Sequence, residues 1–407
     1  MKSISANIES QDKTGSKYLL VILGALMAIT SLSTDIYLPA MPQMGLDLKG
    51  DIELTITGFL IGFSIAQIVW GPISDKYGRK TPLVLGMVLF IIGSIGCAMS
   101  ETIVQIMIWR VVQAFGACTG PMLSRAMVRD LFGRTKSAEM LSTLMILMAI
   151  APIVGPLFGG QLLKFSSWHS IFWALSVIGV LMLLSTFILK ETLPQERRAD
   201  TSLREAFKKY KILLAHSSFM KYTLCVTFYY VGAYAFIAGS PLVYIEHFGV
   251  APQNYGWLFA VNIVGIMGFS FVNRILIRRF NLDKLLRYAT FIAMIAGIVL
   301  LIDAKIELGG IYGVAIPIFF YFSMNGIIAA NSTAGALHDV PEMAGAASAL
   351  LGSLQYGSGI LSSLILATLA DSTPWTMSVI IAFFGIAAAF MMFINLRFPY
   401  TLKLGKS

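Results

Sequence analysis

The feature that most constrains this chain is a series of apolar runs, each about twenty residues long, separated by short polar stretches. A helix needs about 20 apolar residues to cross a bilayer core of roughly 30 Å. Only 13% of the 407 residues are charged, about half the fraction found in soluble domains. The first run, 18–40, is too long for a signal peptide and contains Asp35, so we expect it to be retained as a span. The sequence therefore predicts an all-α membrane protein.

The apolar runs predict twelve spans. They fall at residues 18–40, 54–73, 82–99, 103–123, 138–162, 170–189, 218–240, 255–273, 286–302, 311–330, 344–369 and 376–396. The longest polar stretch, 190–216, divides them into two sets of six. We predict a cytoplasmic N-terminus (1–17), an N-terminal six-helix bundle (18–190), a cytoplasmic linker (191–216), a C-terminal six-helix bundle (217–396) and a cytoplasmic tail (397–407).

The distribution of Lys and Arg predicts the orientation. With both termini in the cytoplasm, only Lys49, Lys164 and Lys305 of the 30 Lys and Arg residues lie in outside loops. Cytoplasmic loops carry an excess of these residues, so we expect both termini inside and a multi-pass protein of a bacterial inner membrane. The loop between spans ten and eleven carries neither residue, and only the alternation of spans places it.

The charge and the cysteines exclude other classes. A net charge of +9 would suit a nucleic-acid-binding protein, but the basic residues lie in separate short loops, so we expect no nucleic-acid partner. Cys97, Cys118 and Cys225 are odd in number and lie in apolar runs, which favours packing over a disulfide framework or a metal site. No Ser/His/Asp set or HExxH motif lies in the spans, so we expect neither an enzyme nor a cofactor.

The loop after span two carries the strongest motif, Gly71-Pro-Ile-Ser-Asp75-Lys-Tyr-Gly78-Arg79-Lys80. A tight turn needs glycine where the backbone bends, and a carboxylate among cations can exchange partners. The loop resembles the signature of the major facilitator superfamily at every defining position; a topology anchor alone is the alternative. The resemblance implies a major facilitator fold, two six-helix halves around a central cavity, with Gly71, Asp75, Gly78 and Arg79 in gating.

Two further motifs extend the gating hypothesis. Arg129-Asp130 follows span four, and we expect Arg79 to approach Asp130 when the cytoplasmic side is closed. Span five ends in Gly155-Pro156-Leu-Phe-Gly-Gly, where small residues allow close helix approach and proline interrupts the helix. Packing alone would account for that signature, but in the superfamily it resembles the mark of proton-driven antiporters.

Two charges inside predicted spans are candidates for proton coupling. Asp35 is the only one of 21 acidic residues well inside a span, and intramembrane carboxylates commonly relay protons. Arg110 lies about a third of the way into span four, where a guanidinium faces the bundle interior and needs a partner. The alternatives are an Asp35 that reaches water and an Arg110 that only joins helices.

The region around Asp35 narrows the resemblance. Thr-Asp35-Ile-Tyr37-Leu-Pro-Ala-Met-Pro, Gln67-Ile-Val-Trp and Arg125-Ala-Met-Val-Arg129-Asp resemble the bicyclomycin-resistance and chloramphenicol-efflux (Bcr/CflA) family. Some multidrug relatives have a second acid two turns before the aspartate, where this chain has Leu-Met-Ala. The departure favours a single-carboxylate scheme.

Candidate substrate-binding residues combine polar tips with aromatic rings, which suits amphipathic drugs. They are Tyr37, Gln113, Tyr229, Tyr230, Tyr234, Phe236, Asn262, Tyr321, Asn325 and Gln355. For each of them, ordinary packing is the alternative.

The resemblance implies a monomeric antiporter, driven by the proton gradient, that exports bicyclomycin-like, phenicol or sulfonamide-type compounds. A proton-coupled importer of a small metabolite is the alternative. A membrane sensor would need a soluble domain, for which the longest loop is too short.

Overall fold

The structure is a computed structural model that describes residues 2–198, 203–369 and 373–394. Within those ranges the chain is helical, with no β-strand. The predicted tail, 397–407, and the end of the C-terminal bundle lie outside the described residues. The prediction of an all-α membrane protein with twelve spans is confirmed.

Twelve helical segments are long and apolar enough to cross a membrane. Numbered as spans 1 to 12, they are Tyr18–Leu48, Leu54–Tyr77, Lys80–Ala98, Ile103–Leu131, Glu139–Leu162, His169–Ile188, Ser217–His247, Pro252–Leu276, Leu282–Ile306, Gly310–His338, Pro341–Thr368 and Pro374–Met391. Between spans 6 and 7 lies a linker helix, Leu203–Leu214.

Four spans extend well beyond their predicted C-terminal ends. Spans 1, 4, 7 and 10 continue seven or eight residues past the predicted ends, because helices project beyond the apolar stretch that hydropathy detects. Each also contains a local break. The first helix ends at Asp35, and a 3-10 turn, Leu38–Ala40, leads into a short helix, Met41–Leu48. Pro39 has no N–H to continue the α-helical ladder, so the helix breaks beside the aspartate.

The twelve spans pack as two sets of six. Span 1 packs on spans 4 and 5, span 3 on spans 4 and 6, and span 7 on spans 10, 11 and 12. The most extensive contacts between the sets lie along two seams: span 2 lies along span 11, and span 5 lies along span 8. The hydroxyls of Thr57 and Ser363 are 2.6 Å apart across the first of these seams.

The two ends of the bundle differ. At one end, which we call the basic end, lie the loop after span 2, the end of span 4 and the linker helix. A cavity of about 450 Å³ separates the two sets of spans there. At the opposite end the seams are closed: the backbone of Gly160 in span 5 lies directly against Pro252 and Gln253 in span 8.

Candidate functional site

Asp35 lies in the closed part of the bundle, nearer the opposite end than the basic end. Its exposed fraction is 6%, and among the described residues no Lys or Arg lies within ion-pair distance of it. The Thr34 hydroxyl donates to its Oδ1 at 2.9 Å. A Cβ on Gly155 of span 5 would lie 3.4 Å from the Asp35 Cβ. The carboxyl group is therefore held against span 5 without a cation on it.

Arg110 is fully buried, and its hydrogen-bond partners are groups other than Asp35. One terminal nitrogen, Nη1, donates to the Ser33 carbonyl at 2.9 Å and to Gln113 Oε1 at 2.6 Å. The guanidinium lies 4.4 Å from the Tyr37 ring and 4.5 Å from the Phe59 ring. Such π faces stabilise a desolvated cation. Asp35 is close enough to feel this charge, but the two form no ion pair.

Two predicted substrate residues belong to the surroundings of Arg110. The Tyr37 hydroxyl is 3.1 Å from the Thr55 hydroxyl, and Tyr37 is fully buried. Gln113 is also fully buried, and its Nε2 donates to the Ser94 hydroxyl at 2.8 Å. In this structure both side chains hold Arg110 and neither faces the cavity.

Four predicted substrate residues pack inside the second set of spans. The Tyr229 and Tyr321 rings stack at 4.9 Å, and each hydroxyl donates to the other's carbonyl. Phe236 contacts three other rings, and the Asn262 amide donates to Leu258 of its own helix. Their substrate role stays a prediction.

The remaining four predicted substrate residues lie in or beside an aromatic layer. We define the aromatic layer as Phe63 of span 2, Tyr230 and Tyr234 of span 7 and Tyr356 of span 11. Its rings are 4.2 to 6.3 Å apart, and Phe63 on Tyr356 joins the two sets of spans.

Amide side chains flank this layer. The Tyr230 hydroxyl donates to Asn325 Oδ1 at 3.2 Å, and Gln355 lies beside the same hydroxyl. Tyr234 and Tyr356 lie within electrostatic range of Asp35. Of the predicted substrate residues, the structure thus brings Tyr230, Tyr234, Asn325 and Gln355 together, and Tyr234 is the one of these four within range of Asp35.

The basic-end cavity lies on the other side of the aromatic layer from the closed end. Residues of both sets of spans line it, among them Gln67, Arg125, Arg129, Lys209, Glu342 and Ser348. Its volume is within the range of pockets that hold drug-sized ligands. The cavity is open at the basic end.

The loop motif lies at the mouth of this cavity. Arg79 Nη1 is 2.6 Å from Asp75 Oδ1, and its Nε is 2.9 Å from Asp130 Oδ2. We expected Arg79 to approach Asp130 when this end closes, yet the pair is formed while the cavity is open. Contact between Arg79 and Asp130 is therefore not specific to a closed state. Arg129 lines the cavity, and Gly71 has open space around its Cα.

Glu191 holds the turn of this motif and has no role in the sequence-based predictions. Gly78 adopts a φ of 91°, a conformation that favours glycine, and the next two backbone N–H groups, those of Arg79 and Lys80, donate to the Glu191 carboxylate. Partial burial acts against its charge, but these bonds and that from Leu193 hold the pKa of Glu191 below its usual range.

Span 5 closes the opposite end. Gly155 faces Asp35, Pro156 lies inside the helix, and Gly160 meets span 8 across the seam. The glycines of span 5 thus allow spans 1 and 8 to approach it closely, as their spacing in the sequence predicts.

Sequence reasoning gave no role to several residues of the site. Arg125 and Gln67 stand in the quoted motifs, and the four-residue spacing of Arg125 and Arg129 already places both on one helix face. Glu53, 4% exposed, lies at the closed seam beside Thr376. Burial raises the pKa of Glu53.

The sequence matches the model of the Major Facilitator Superfamily over residues 23–363. It is 39% identical over 346 residues to "Uncharacterized MFS-type transporter YdgK" of Bacillus subtilis, covering 83% of this chain and 85% of that one. It is 30% identical over 396 residues to "Bicyclomycin resistance protein homolog" of Haemophilus influenzae, covering 95% and 99%. It is 28% identical over 353 residues to "Multidrug resistance protein D" of Escherichia coli, covering 85% and 88%.

Solved structures share the fold at low sequence identity. A partially occluded, inward-open structure of the xylose transporter XylE from E. coli has a TM-score of 0.74 at 14% identity, covering 92% of this chain and 96% of that one. A bacterial homologue of the human lysosomal transporter Spinster, titled inward-facing and unoccupied, has a TM-score of 0.66 at 17% identity, covering 93% and 96%.

Proposed function

This chain belongs to the major facilitator superfamily, and we propose that it exports small amphipathic drugs in exchange for protons. It is a multi-pass membrane protein with twelve spans. The relatives named for bicyclomycin and multidrug resistance support export of drugs. The observation that carries the proton coupling is Asp35, a buried carboxyl group without an ion-pair partner among the described residues.

The orientation follows from the positive-inside rule. The loops at the basic end carry most of the Lys and Arg residues, so this end faces the cytoplasm and the closed end faces outward. In this state the cavity receives drug from the cytoplasm or the inner leaflet. We place the protein in a bacterial inner membrane, a proposal supported by the bacterial origin of these relatives.

The exchange cycle uses one proton site. With the outer seam open, Asp35 takes a proton from outside and the drug leaves. The protonated carrier then closes the outer seam and opens the basic end, the state described above. Drug binding in the cavity favours loss of the Asp35 proton to the cytoplasm, and the loaded carrier returns outward. The two sets of spans rock about the site.

Arg110 has a positioning role in this cycle. It is bonded to the Ser33 carbonyl, two residues from Asp35, so it fixes the end of the helix that carries the carboxyl group. Its charge also acts on Asp35 without neutralising it. Arg110 thereby keeps the ionised form of Asp35 accessible within the membrane.

The runner-up is a proton-coupled importer of a metabolite. A structure titled "Crystal structure of D-xylose-proton symporter" matches with a TM-score of 0.73, but at 16% identity it informs on the fold alone. An uncoupler separates the two directions, because it raises drug accumulation in cells with an exporter and lowers substrate accumulation with an importer.

The test uses a host that lacks its own drug pumps. Cells expressing the wild type, Asp35→Asn or the control Asp51→Asn are compared for resistance to bicyclomycin, chloramphenicol and a sulfonamide, with and without uncoupler. Asp51 is exposed in the loop between spans 1 and 2, so its neutralisation should leave resistance unchanged. Asp35→Asn should lose resistance at normal expression. Wild-type resistance in Asp35→Asn would refute coupling through this residue.

A further inference from the structure

Arg125 is a guanidinium that faces the basic-end cavity without a counter-charge. Its Nε donates to the Pro121 carbonyl, 2.9 Å away in its own helix. Among the described residues no carboxylate lies within ion-pair distance of it. The nearest charge on its helix face is Arg129, one turn away, which is also a cation and also lines the cavity.

Two other guanidinium groups near the site have partners of their own. Arg79 pairs with Asp75 and Asp130, and Arg110 is held by carbonyl groups and aromatic rings. Arg125 is exposed to the cavity, so a ligand that displaces water from it has to supply a counter-charge, because removing an unpaired charge from water is costly. Arg125 and Arg129 are thus guanidinium groups of the cavity lining that a ligand can neutralise, and Arg125 is the one next to the aromatic layer.

Gln67 supplies a second polar group to the same cavity. It is 7% exposed, it lines the cavity, and its amide makes no hydrogen bond to any residue in the described part of the chain. A buried amide without a partner is unfavourable unless a ligand or water satisfies it. It lies opposite Gly352 of span 11, so it faces the second set of spans.

The aromatic layer lies near Arg125. Tyr356 is within electrostatic range of the Arg125 guanidinium, and its ring packs on Phe63 at 4.2 Å. Met122 and Leu123 add an apolar wall. One region thus offers a cation, a free amide and flat apolar surface.

We propose that Arg125, Gln67 and Tyr356 form a recognition site for the negatively charged group of amphipathic anions. This inference rests on the proposed function and names the preferred substrates of the exporter. They are aromatic compounds with one ionised acidic group, such as a deprotonated sulfonamide or a carboxylate. The acid bonds to the terminal nitrogens of Arg125 and the Gln67 amide, and the ring lies against the aromatic layer. Asp75 also lines the cavity but is paired with Arg79, and Glu342 lies exposed on the other set of spans.

The test compares two probes that differ in charge and by one methyl group. Sulfacetamide is an anion at neutral pH, and its derivative methylated on the sulfonamide nitrogen is neutral. Binding of each, and of neutral chloramphenicol, is measured by calorimetry on the purified full-length protein. Hydrogen bonds to charged groups predict that the wild type binds the anion about 10- to 100-fold more tightly than its neutral derivative.

The variants test whether the preference for the anion depends on Arg125. Arg125→Gln should abolish it while changing chloramphenicol affinity less than about twofold, and Arg125→Lys, which keeps the charge, should retain most of it. Lys136→Gln is the matched control: it removes one exposed charge at the same end, from a residue outside the cavity lining, and should change nothing.

The comparison of the two sulfonamides on the wild type does not depend on any variant. It can therefore refute the proposal even if the Arg125 variants fail to fold. Equal affinity of the wild type for the two sulfonamides overturns it, as does an Arg125→Gln variant that weakens all three ligands equally. A wild type that binds chloramphenicol but shows no anion preference overturns this inference alone. A wild type that binds none of the three overturns the proposed function as well.

Discussion

Gly160 is the position where a single methyl group should change which end of the protein is open. It lies in span 5 at the closed end, against the backbone of span 8. A Cβ on Gly160 would lie 2.9 Å from both the Pro252 carbonyl oxygen and the Gln253 Cα. Both atoms belong to backbone, so neither can rotate away from the added methyl. Gly160→Ala should therefore force the two sets of spans apart at this end.

The size of the effect follows from these distances. Nine in ten Cβ contacts in proteins exceed 3.4 Å, so the seam must widen by about half an ångström. Overpacking of this kind costs about 1–3 kcal/mol. The cost applies only to the state with the closed seam, because the two helices separate when the opposite end opens. The ratio of the two states should shift about 5- to 150-fold toward the state open at the opposite end.

Thiol labelling at both ends measures that ratio. Ser348→Cys reports on the basic-end cavity, which Ser348 lines, and Thr376→Cys reports on the closed seam. The native cysteines Cys97, Cys118 and Cys225 are buried, so background labelling should be low. Each reporter is combined with Gly160→Ala in a separate protein, and its rate of reaction with a small maleimide is measured. The mutation should slow the first rate relative to the second.

The control is another glycine with the same helical conformation. Gly268 lies in span 8, and nothing lies within 4 Å of where its Cβ would be. Gly268→Ala should leave the labelling ratio unchanged, since alanine fits there and favours the helix. Gly256, whose Cβ would lie 2.8 Å from the Leu157 nitrogen across the same seam, should behave like Gly160. An unchanged ratio in both Gly160→Ala and Gly256→Ala, or a shift toward the basic-end-open state, would refute the seam argument.

Three further predictions test the neighbouring groups. Arg110→Lys keeps the charge but loses the planar fork of donors, so the purified protein should lose about 1–3 kcal/mol of stability in a denaturation assay, and an unchanged midpoint would contradict the bonding described here. Asp130→Asn removes one ion pair of Arg79 and leaves the pair with Asp75. The lost pair is partly buried, so its loss should cost more than the roughly 0–1 kcal/mol of an exposed pair, and export in vesicles should slow. Export at the wild-type rate would show that the pair is dispensable. The pKa of Glu191 is depressed on folding, so its contribution to stability is complete above its ordinary pKa of 4.5 and is lost as the pH falls through the lower folded value; Glu191→Gln should flatten the acid side of the melting-temperature profile, and an identical profile would count against the turn bonds.

The sequence predicts the architecture because the length of an apolar run and the position of the charges beside it are read from each segment alone, without knowledge of its neighbours. Each span is recognisable from a run of about twenty apolar residues, and the structure contains all twelve predicted spans. The glycine spacing of span 5 likewise predicts close approach before any partner is known. The ends of spans 1, 4, 7 and 10 escape prediction, because a helix that leaves the hydrocarbon region needs no apolar residues to continue.

The partners of the charged groups could not be predicted, since they depend on how the helices rotate against each other. The sequence predicts that Arg110 faces the bundle interior and needs a partner, but it does not identify that partner. In the structure, Arg110 lies between the Tyr37 and Phe59 rings and bonds to a carbonyl group. Arg125 is a second case: its sequence stretch resembles the Bcr/CflA family, and only the structure shows it facing a cavity with no carboxylate within ion-pair distance among the described residues.

The separation of Asp35 from Arg125 bears on how exchange could be enforced. Asp35 contacts span 5 at the closed end, whereas Arg125 lines the cavity open at the basic end, and the aromatic layer lies between them. Tyr234 and Tyr356 of that layer lie within electrostatic range of Asp35, and Tyr356 also lies within range of Arg125. A ligand that moves Tyr356 therefore changes the surroundings of both groups at once. Under the proposed function, proton and drug need not compete for one atom, because a shift of this ring links the drug site to Asp35.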